Sequence, residues 1–587
     1  MKNTFVTFMA LASTTLASAI PLVSDLVRDS TLATRQLAPD CQHGPDSRGC
    51  WSPGFNIDTD YHDNTPNTGV TREYWITAEN ITLSADGYTR QVLAFNGTIP
   101  GPAIVGDWGD NFIIHVTNNM PNNGTAIHWH GLRQLNSVEY DGVPGVTQCP
   151  IAPGDTLTYR FQATQYGSTW YHSHFTLQYG DGLLGPMIIN GPATANYDDD
   201  LGVLVLSDWS HTPLPQLWDV AKQGVPPILE NGVINGTNTY DCSTSTDPNC
   251  VGGGRKNVNV FEPGRRYRYR LLNSALDSHF LFSIDGHNFQ VIGMDLVPIV
   301  PYTTDSISIA IGQRYDIIVT ANATPGDYWL RAGLVEACGA NANAANITGI
   351  IRYDASSTAD PTTTSSVTRV GECGDEPVAN LVPHVRMDVG AYNASAVDQE
   401  ELGFVFEEHF KWTLNGTSLH VNWDNPTTLR VFNNESIWPA EYNVQPLRTV
   451  DESDIWAVYV IEDLTGFGIT HPIHLHGHDF WVISQGVGLF DDAAAAAVNL
   501  INPPRRDVAS LPANGHLAMA FKKDNPGTWL LHCHIAWHAS EGFAMQFVED
   551  ENRIALTMTD AAVYQDTCAN WVEFERTNVY EQDDSGI

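Results

Sequence analysis

Apolar and polar residues alternate along much of this chain. In "DNFIIHVTNNM", "RRYRYRLLN" and "RYDIIVTAN" apolar side chains recur at every second position, and Gly, Pro and Asn break the runs. A period of two places successive side chains on opposite faces of a strand. The alternating residues are rich in Val, Ile, Thr, Tyr and Phe, which suit a pleated, half-buried surface. Helical periodicity is scarce. The pattern predicts an all-β protein of many short strands.

The pattern also repeats at long range. "GSTWYHSHFTLQYGDGLLG" (167–185) is similar to "GTWLLHCHIAWHASEGFAM" (527–545), and "GHNFQVIG" (286–293) to "GHDFWVIS" (477–484). In these registers Ser173 stands where Cys533 stands, Gln178 where His538 stands and Leu183 where Phe543 stands. Ser283 and Asp285 replace His474 and His476. Internal similarity of this kind marks repeated structural units. It predicts three related β-domains over about 36–195, 196–370 and 371–587. His287 recurs at the place of His478 in a segment without other histidines, so His478 is expected to be structural.

At 587 residues the chain has ample length for a large core without staples. The opening "MKNTFVTFMALASTTLASA" has Lys2, an apolar run and a small-residue site, and reads as a signal peptide of residues 1–19. Residues 20–35 read as a propeptide. Sequons at Asn80, Asn96, Asn123, Asn235, Asn322, Asn346, Asn393, Asn415 and Asn434 fit a secreted glycoprotein. A net charge of −38 argues against nucleic acid or an anionic membrane as partner. A soluble, secreted monomer is expected.

Nine cysteines in an oxidising compartment leave one unpaired. The expected pairs are Cys41–Cys50, Cys149–Cys568, Cys242–Cys250 and Cys338–Cys373. Cys533 is the odd one, because it alone sits among histidines.

Four His-x-His pairs occur: His128/His130, His172/His174, His474/His476 and His532/His534. Neutral imidazole is the commonest side-chain ligand of transition metals. On a strand, residues i and i+2 share a face and i+1 points away. His532 and His534 therefore aim at one site and Cys533 at another behind the strand, on the order of 10 Å apart. One thiolate with two imidazoles is the blue-copper arrangement for electron transfer. Cys533 and His538 are local to it, and His471 of "HPIHLH" supplies the second imidazole. The remaining pair histidines suit three further metals, held by three, three and two rings.

"HWHG", "WYHSH", "HPIHLHGHDF" and "HCHIAWHASEGF" resemble the copper signatures of the multicopper oxidases, and within them the laccases. The resemblance covers essentially the whole mature chain, and "CQHGPDSRGCW" and the closing "DSGI" resemble the ascomycete type. It implies three cupredoxin-like Greek-key β-barrel or sandwich domains and four copper ions: one type 1, one type 2 and two type 3. By resemblance His128 and His474 bind type 2. His130, His172 and His534 hold one type 3 ion, and His174, His476 and His532 the other. His471, Cys533 and His538 hold type 1, with Phe543 at the axial position as a non-ligand, where related enzymes more often have Leu. Loss of an axial ligand favours the reduced ion.

The resemblance also gives roles to two acids. Asp141 matches a carboxylate that relays protons near the trinuclear cluster, and Glu230 one that accepts a phenolic proton beside type 1. Ala536 replaces an acid of some relatives. The tail ending at Ile587 corresponds to a plug of the solvent channel. The implied activity takes one electron at a time from hydroxyl-bearing aromatics through His538 and Cys533, and reduces dioxygen to water. A ferroxidase would want a carboxylate cluster beside the type 1 histidines, and bilirubin or ascorbate oxidases would have Met at Phe543. A non-catalytic copper carrier would need only the type 1 ligands.

Overall fold

The alternating segments form strands that pair into three two-layered sandwiches. The structure, a computed structural model, describes residues 42–587 except 366, 368–371, 391–396, 450–454, 559 and 579–581. The expected signal peptide and propeptide, Cys41 and the sequon Asn393 lie outside the described residues. The first sandwich has two four-stranded sheets, and the second and third each have a six-stranded and a five-stranded sheet. Along Asn111–Asn118 alternate residues are buried, with Phe112, Ile114 and Val116 turned inward.

The repeat seen in the sequence is a repeat of register. Ile127–His130 pairs antiparallel with Gly167–Ser173, setting His128 opposite His172. Phe280–Ile284 pairs with Asp327–Leu334, setting Ser283 opposite Arg331. His471–Leu475 pairs with Gly527–Cys533, setting His474 opposite His532 and Ile473 opposite Cys533. One strand pair thus recurs three times, with three sets of side chains on it.

Alternation fails as a guide to exposure in "RRYRYRLLN". Arg266–Asn273 is buried along nearly its whole length, because a second domain covers its polar face. Arg268 meets Asp316 at 2.7 Å, and Arg270 meets Asp200 at 2.7 Å and donates to Ser168 Oγ of the first domain at 2.9 Å. Burying these guanidiniums is tolerable only because each is paired. A single buried apolar cluster runs from Trp170 through Leu271 and Ile317 to Leu531 and Phe547, so the domains share a core.

The structure adds helices that the alternation does not predict. Ala561–Thr577 forms a 17-residue helix near the C-terminus. It is held by the Cys149–Cys568 disulfide and by Trp571, which packs edge-on against Phe175 and Trp423. Cys242–Cys250 and Cys338–Cys373 are also bridged, and Cys533 is free and buried. No described helix is long and apolar enough to cross a membrane. Of the sequons, Asn80, Asn96, Asn322, Asn415 and Asn434 are exposed, while Asn123, Asn235 and Asn346 are half-buried.

Candidate metal centres

Three side chains converge behind the Gly527–Cys533 strand. Cys533 Sγ lies 3.5 Å from His538 Nδ1 and 3.7 Å from His471 Nδ1, and the two nitrogens are 3.0 Å apart. His471 comes from the neighbouring strand, and His538 from the short helix Ala536–Ser540 that follows Cys533. Phe543 closes one side, its ring 5.1 Å from that of His471, and Trp412 another, 4.8 Å from His538. Burial lowers His471 to about 4 and His538 well below the usual histidine range, so both rings are neutral and keep a lone pair for a metal. His471 is 0% exposed and His538 8%, which leaves His538 as the ring nearer solvent.

The first domain has the same three positions filled differently. Thr125, Ser173 and Gln178 occupy the places of His471, Cys533 and His538. Gln178 Oε1 accepts from Ser173 Oγ at 2.8 Å and from Thr125 Oγ1 at 2.9 Å. In the second domain Arg331 stands at the register position of His532. It donates to both carboxylate oxygens of Asp285, the counterpart of His476, at 2.8 Å each. A hydrogen-bonded cluster and an ion pair thus satisfy the polarity that a metal satisfies elsewhere.

Eight imidazoles meet between the first and third domains. Groups whose donor atoms lie within 4.8 Å of one another include His128, His130 and His474; His130, His172 and His534; and His174, His476 and His532. Nε2 of His172, His174, His476 and His532 is buried with no hydrogen-bond partner. Burial, reinforced by neighbouring rings, lowers His130, His172, His174, His474, His476 and His534 well below the usual histidine range, and His532 to about 4. A buried nitrogen without a partner is costly unless something coordinates it.

The opposite nitrogen, Nδ1, is held in five of the rings, whereas that of His174 has no partner. Nδ1 of His128 donates to the Asp141 carbonyl at 2.8 Å, His172 to the Ser173 carbonyl at 3.0 Å, and His532 to the Cys533 carbonyl at 2.9 Å. His474 Nδ1 donates to the Asp507 carbonyl at 2.8 Å, and His476 Nδ1 to Asp141 Oδ2 at 2.9 Å. Such acceptors fix the tautomer and aim Nε2 at a metal. His130 is reversed: its Nε2 donates to Asp507 Oδ1 at 3.2 Å, and its Nδ1 faces His534 Nε2 at 3.4 Å.

Asp141 is fully buried beneath this cluster. Asp507, in "RRDVAS", holds two of the histidines and was missed by sequence reading, which has no signal for an acid acting from a separate strand. Glu230 Oε2 accepts from Ser210 Oγ at 3.1 Å and from the His211 amide at 3.0 Å. His478 joins none of these metal groups. Its Nδ1 donates to the His476 carbonyl at 3.1 Å and its Nε2 meets Glu549 at 3.0 Å, while His287 donates likewise to the Asp285 carbonyl at 2.9 Å. Ile587 is buried in a small cavity with His172, His174, His532, Cys533 and His534.

The donor chemistry fits copper. One soft thiolate with two imidazoles suits electron transfer, and imidazole-only groups suit copper that binds oxygen. The fold and these clusters define a redox enzyme of three cupredoxin-like domains. Models of the multicopper oxidase family match residues 77–194, 200–356 and 413–553. Over its full length the chain is 60% identical to the full length of Laccase-2 of Botryotinia fuckeliana. Among solved structures, the laccase from Botrytis aclada matches with 61% identity and a TM-score of 0.90, covering 93% of this chain and 100% of that one. Fet3p, a multicopper oxidase that functions in iron import, matches at 25% identity and a TM-score of 0.74, over 88% of this chain and 98% of that one. The chain belongs to the multicopper oxidase family, on its laccase branch, and copper is its cofactor.

Proposed function

We propose that this chain is a secreted, monomeric laccase that oxidises phenolic donors one electron at a time and reduces dioxygen to water. The observation that carries the reading is the strand ending at Cys533. Its cysteine faces one donor group, and His532 and His534, bonded to it on either side, face two others. Copper bound at these groups supplies one-electron oxidation at the thiolate site and four-electron reduction of dioxygen at the imidazole groups.

The residues then divide the work. His471, Cys533 and His538 hold the type 1 ion, with Phe543 filling the axial side without coordinating. His128 and His474 hold type 2. His130, His172 and His534 hold one type 3 ion, and His174, His476 and His532 the other, giving four coppers in all. Asp141, whose Oδ2 accepts from His476 Nδ1 and whose carbonyl accepts from His128 Nδ1, is placed to relay protons beside the imidazoles. Glu230 uses Oε2 for Ser210 and His211 and offers Oε1 to a phenolic hydroxyl. Ile587 and its neighbours exclude water from the trinuclear side. Ser585 Oγ donates to the Ala539 carbonyl at 2.7 Å and Trp423 Nε1 to the Gly586 carbonyl at 2.8 Å. The domain limits that suit this division are 36–195, 196–370 and 371–587, the middle one without copper.

The test is oxygen uptake by the purified enzyme with a methoxyphenol, with and without catalase. Consumption of one dioxygen per four phenols, unaffected by catalase, is the expected result. Uptake only with ferrous iron would replace the reading with a ferroxidase.

A further inference from the structure

The middle domain holds none of the histidine groups, yet it touches two of their members. The turn between its strands Ser306–Ile309 and Arg314–Thr320 enters the interface beneath the trinuclear histidines. A Cβ on Gly312 would lie 2.9 Å from His534 Cδ2 and 3.3 Å from His130 Cε1. The residue two places on, Arg314, is fully buried. Its Nη1 and Nη2 donate to the two oxygens of Asp507 at 2.6 Å and 2.5 Å, and its Nη1 also donates to the Gly312 carbonyl at 3.0 Å. Its Nε donates to the Ser168 carbonyl at 3.2 Å, and its own amide donates to Asp295 Oδ1 at 2.9 Å. Arg314 therefore binds all three domains at one point.

Resting on the copper assignment above, we infer that Arg314 is a positioning residue for the trinuclear site, acting through Asp507 on His130 and His474. The geometry gives the route. Asp507 Oδ1 accepts from His130 Nε2 at 3.2 Å, so the proton stays on Nε2 and Nδ1 is the nitrogen presented to the metal. The other five histidines with a bonded Nδ1 present the opposite nitrogen. The Asp507 carbonyl accepts from His474 Nδ1 at 2.8 Å. One residue thus aims two rings assigned to different coppers, and its carboxylate holds His130 only while it is kept in one rotamer. The two-toothed guanidinium contact holds it, and a lysine cannot reproduce that fork. Gly131, next to His130, leaves the room: a Cβ there would press on Arg314 Nη2 and Asp507 Oδ2, both at 2.5 Å.

The experiment uses the full-length copper-loaded enzyme as wild type, Arg314→Lys, Arg314→Leu, Gly312→Ala, Asp507→Asn and Asp507→Asn/Arg314→Lys. Three quantities are read: copper per chain, the near-ultraviolet band of the paired coppers, and the visible thiolate band at about 600 nm. In Arg314→Lys the visible band is expected to stay at the wild-type level per chain. The near-ultraviolet band falls at least about twofold against it, and turnover with oxygen falls about 10–100-fold at unchanged KM for the phenol, the usual range for a group behind a metal ligand. Gly312→Ala, which presses directly on His534 and His130, shifts the same ratio, and the double variant loses no more than its worse parent. An unchanged ratio in Arg314→Lys and Gly312→Ala overturns the inference, as does an equal fall of both bands, which marks general loosening. Arg314→Leu failing to fold leaves those two variants decisive. A wild type lacking the visible band sinks the copper assignment itself, a result distinct from either.

Discussion

The indole Nε1 of Trp412 donates to Glu541 Oε2 at 2.9 Å, while the same ring lies 4.8 Å from His538 and 5.1 Å from His471. A buried acid is thereby tied to the wall of the thiolate site. Burial pushes Glu541 up from 4.5 to about 9. Between those values the folded protein keeps a proton that the unfolded chain has released. The unfolded state binds fewer protons, so this contribution is present below 4.5 and is lost as pH rises toward 9. Glu541→Gln should flatten the fall of Tm between about pH 5 and about pH 8. An identical fall in both proteins would show that Glu541 is ionised in the fold.

Cys533→Ser should abolish the visible band at about 600 nm while leaving most of the other copper bound. The reason is geometric: His532 and His534 face away from the cysteine, and the Cys533 main-chain carbonyl that accepts from His532 Nδ1 is kept. Metal analysis beside the spectrum checks it, and a blue variant would show that the odd cysteine has another task.

Asp141→Asn removes the charge of the carboxylate that accepts from His476 Nδ1 at 2.9 Å, while the main-chain carbonyl that holds His128 Nδ1 is kept. Oxygen turnover should fall about 10–100-fold, as for other groups behind metal ligands, with the thiolate band intact. Full turnover would reduce Asp141 to a turn residue after the short helical turn Val138–Tyr140.

Glu230→Gln should slow phenols more than aromatic donors that lose no proton on oxidation, because only the former need a base. Comparing kcat/KM for one donor of each kind is the measurement. Equal slowing would leave Glu230 as a cap on the His211 amide.

Removing Ser585–Ile587 should speed binding of small anions such as azide to the trinuclear side, read as a spectral change over time. Lys222→Ala should do so more weakly. Lys222 Nζ and Trp218 Nε1 hold the adjacent Asp583 at 2.9 Å and 3.0 Å, so the tail would keep its last contacts. Unaltered rates in the truncated enzyme would mean that Ile587 blocks no path.

Much of this was legible in the chain itself. Period-two alternation follows from the covalent geometry of one strand, so the division of His532 and His534 from Cys533 needs no partner to be read. The free cysteine stands out by its neighbours, and the repeat alone marks Ser173 and Gln178 as the replacements, whereas their contact with Thr125 belongs to the fold. Where alternation misled, as at Arg268 and Arg270, the cause lay outside the strand: a polar face reads as solvent-facing until another domain is known to cover it.

What the sequence by itself determined was the strand pattern, the donor residues and the side of each strand on which they lie. Only the tertiary structure decided which groups stand behind those donors. Asp507 reaches His130 across 377 positions and Arg314 reaches Asp507 across 193. Trp412 meets Glu541 across 129. No local period encodes contacts at such separations, because they are fixed by which strands pair and which domain faces pack, and that is settled by the shared core as a whole.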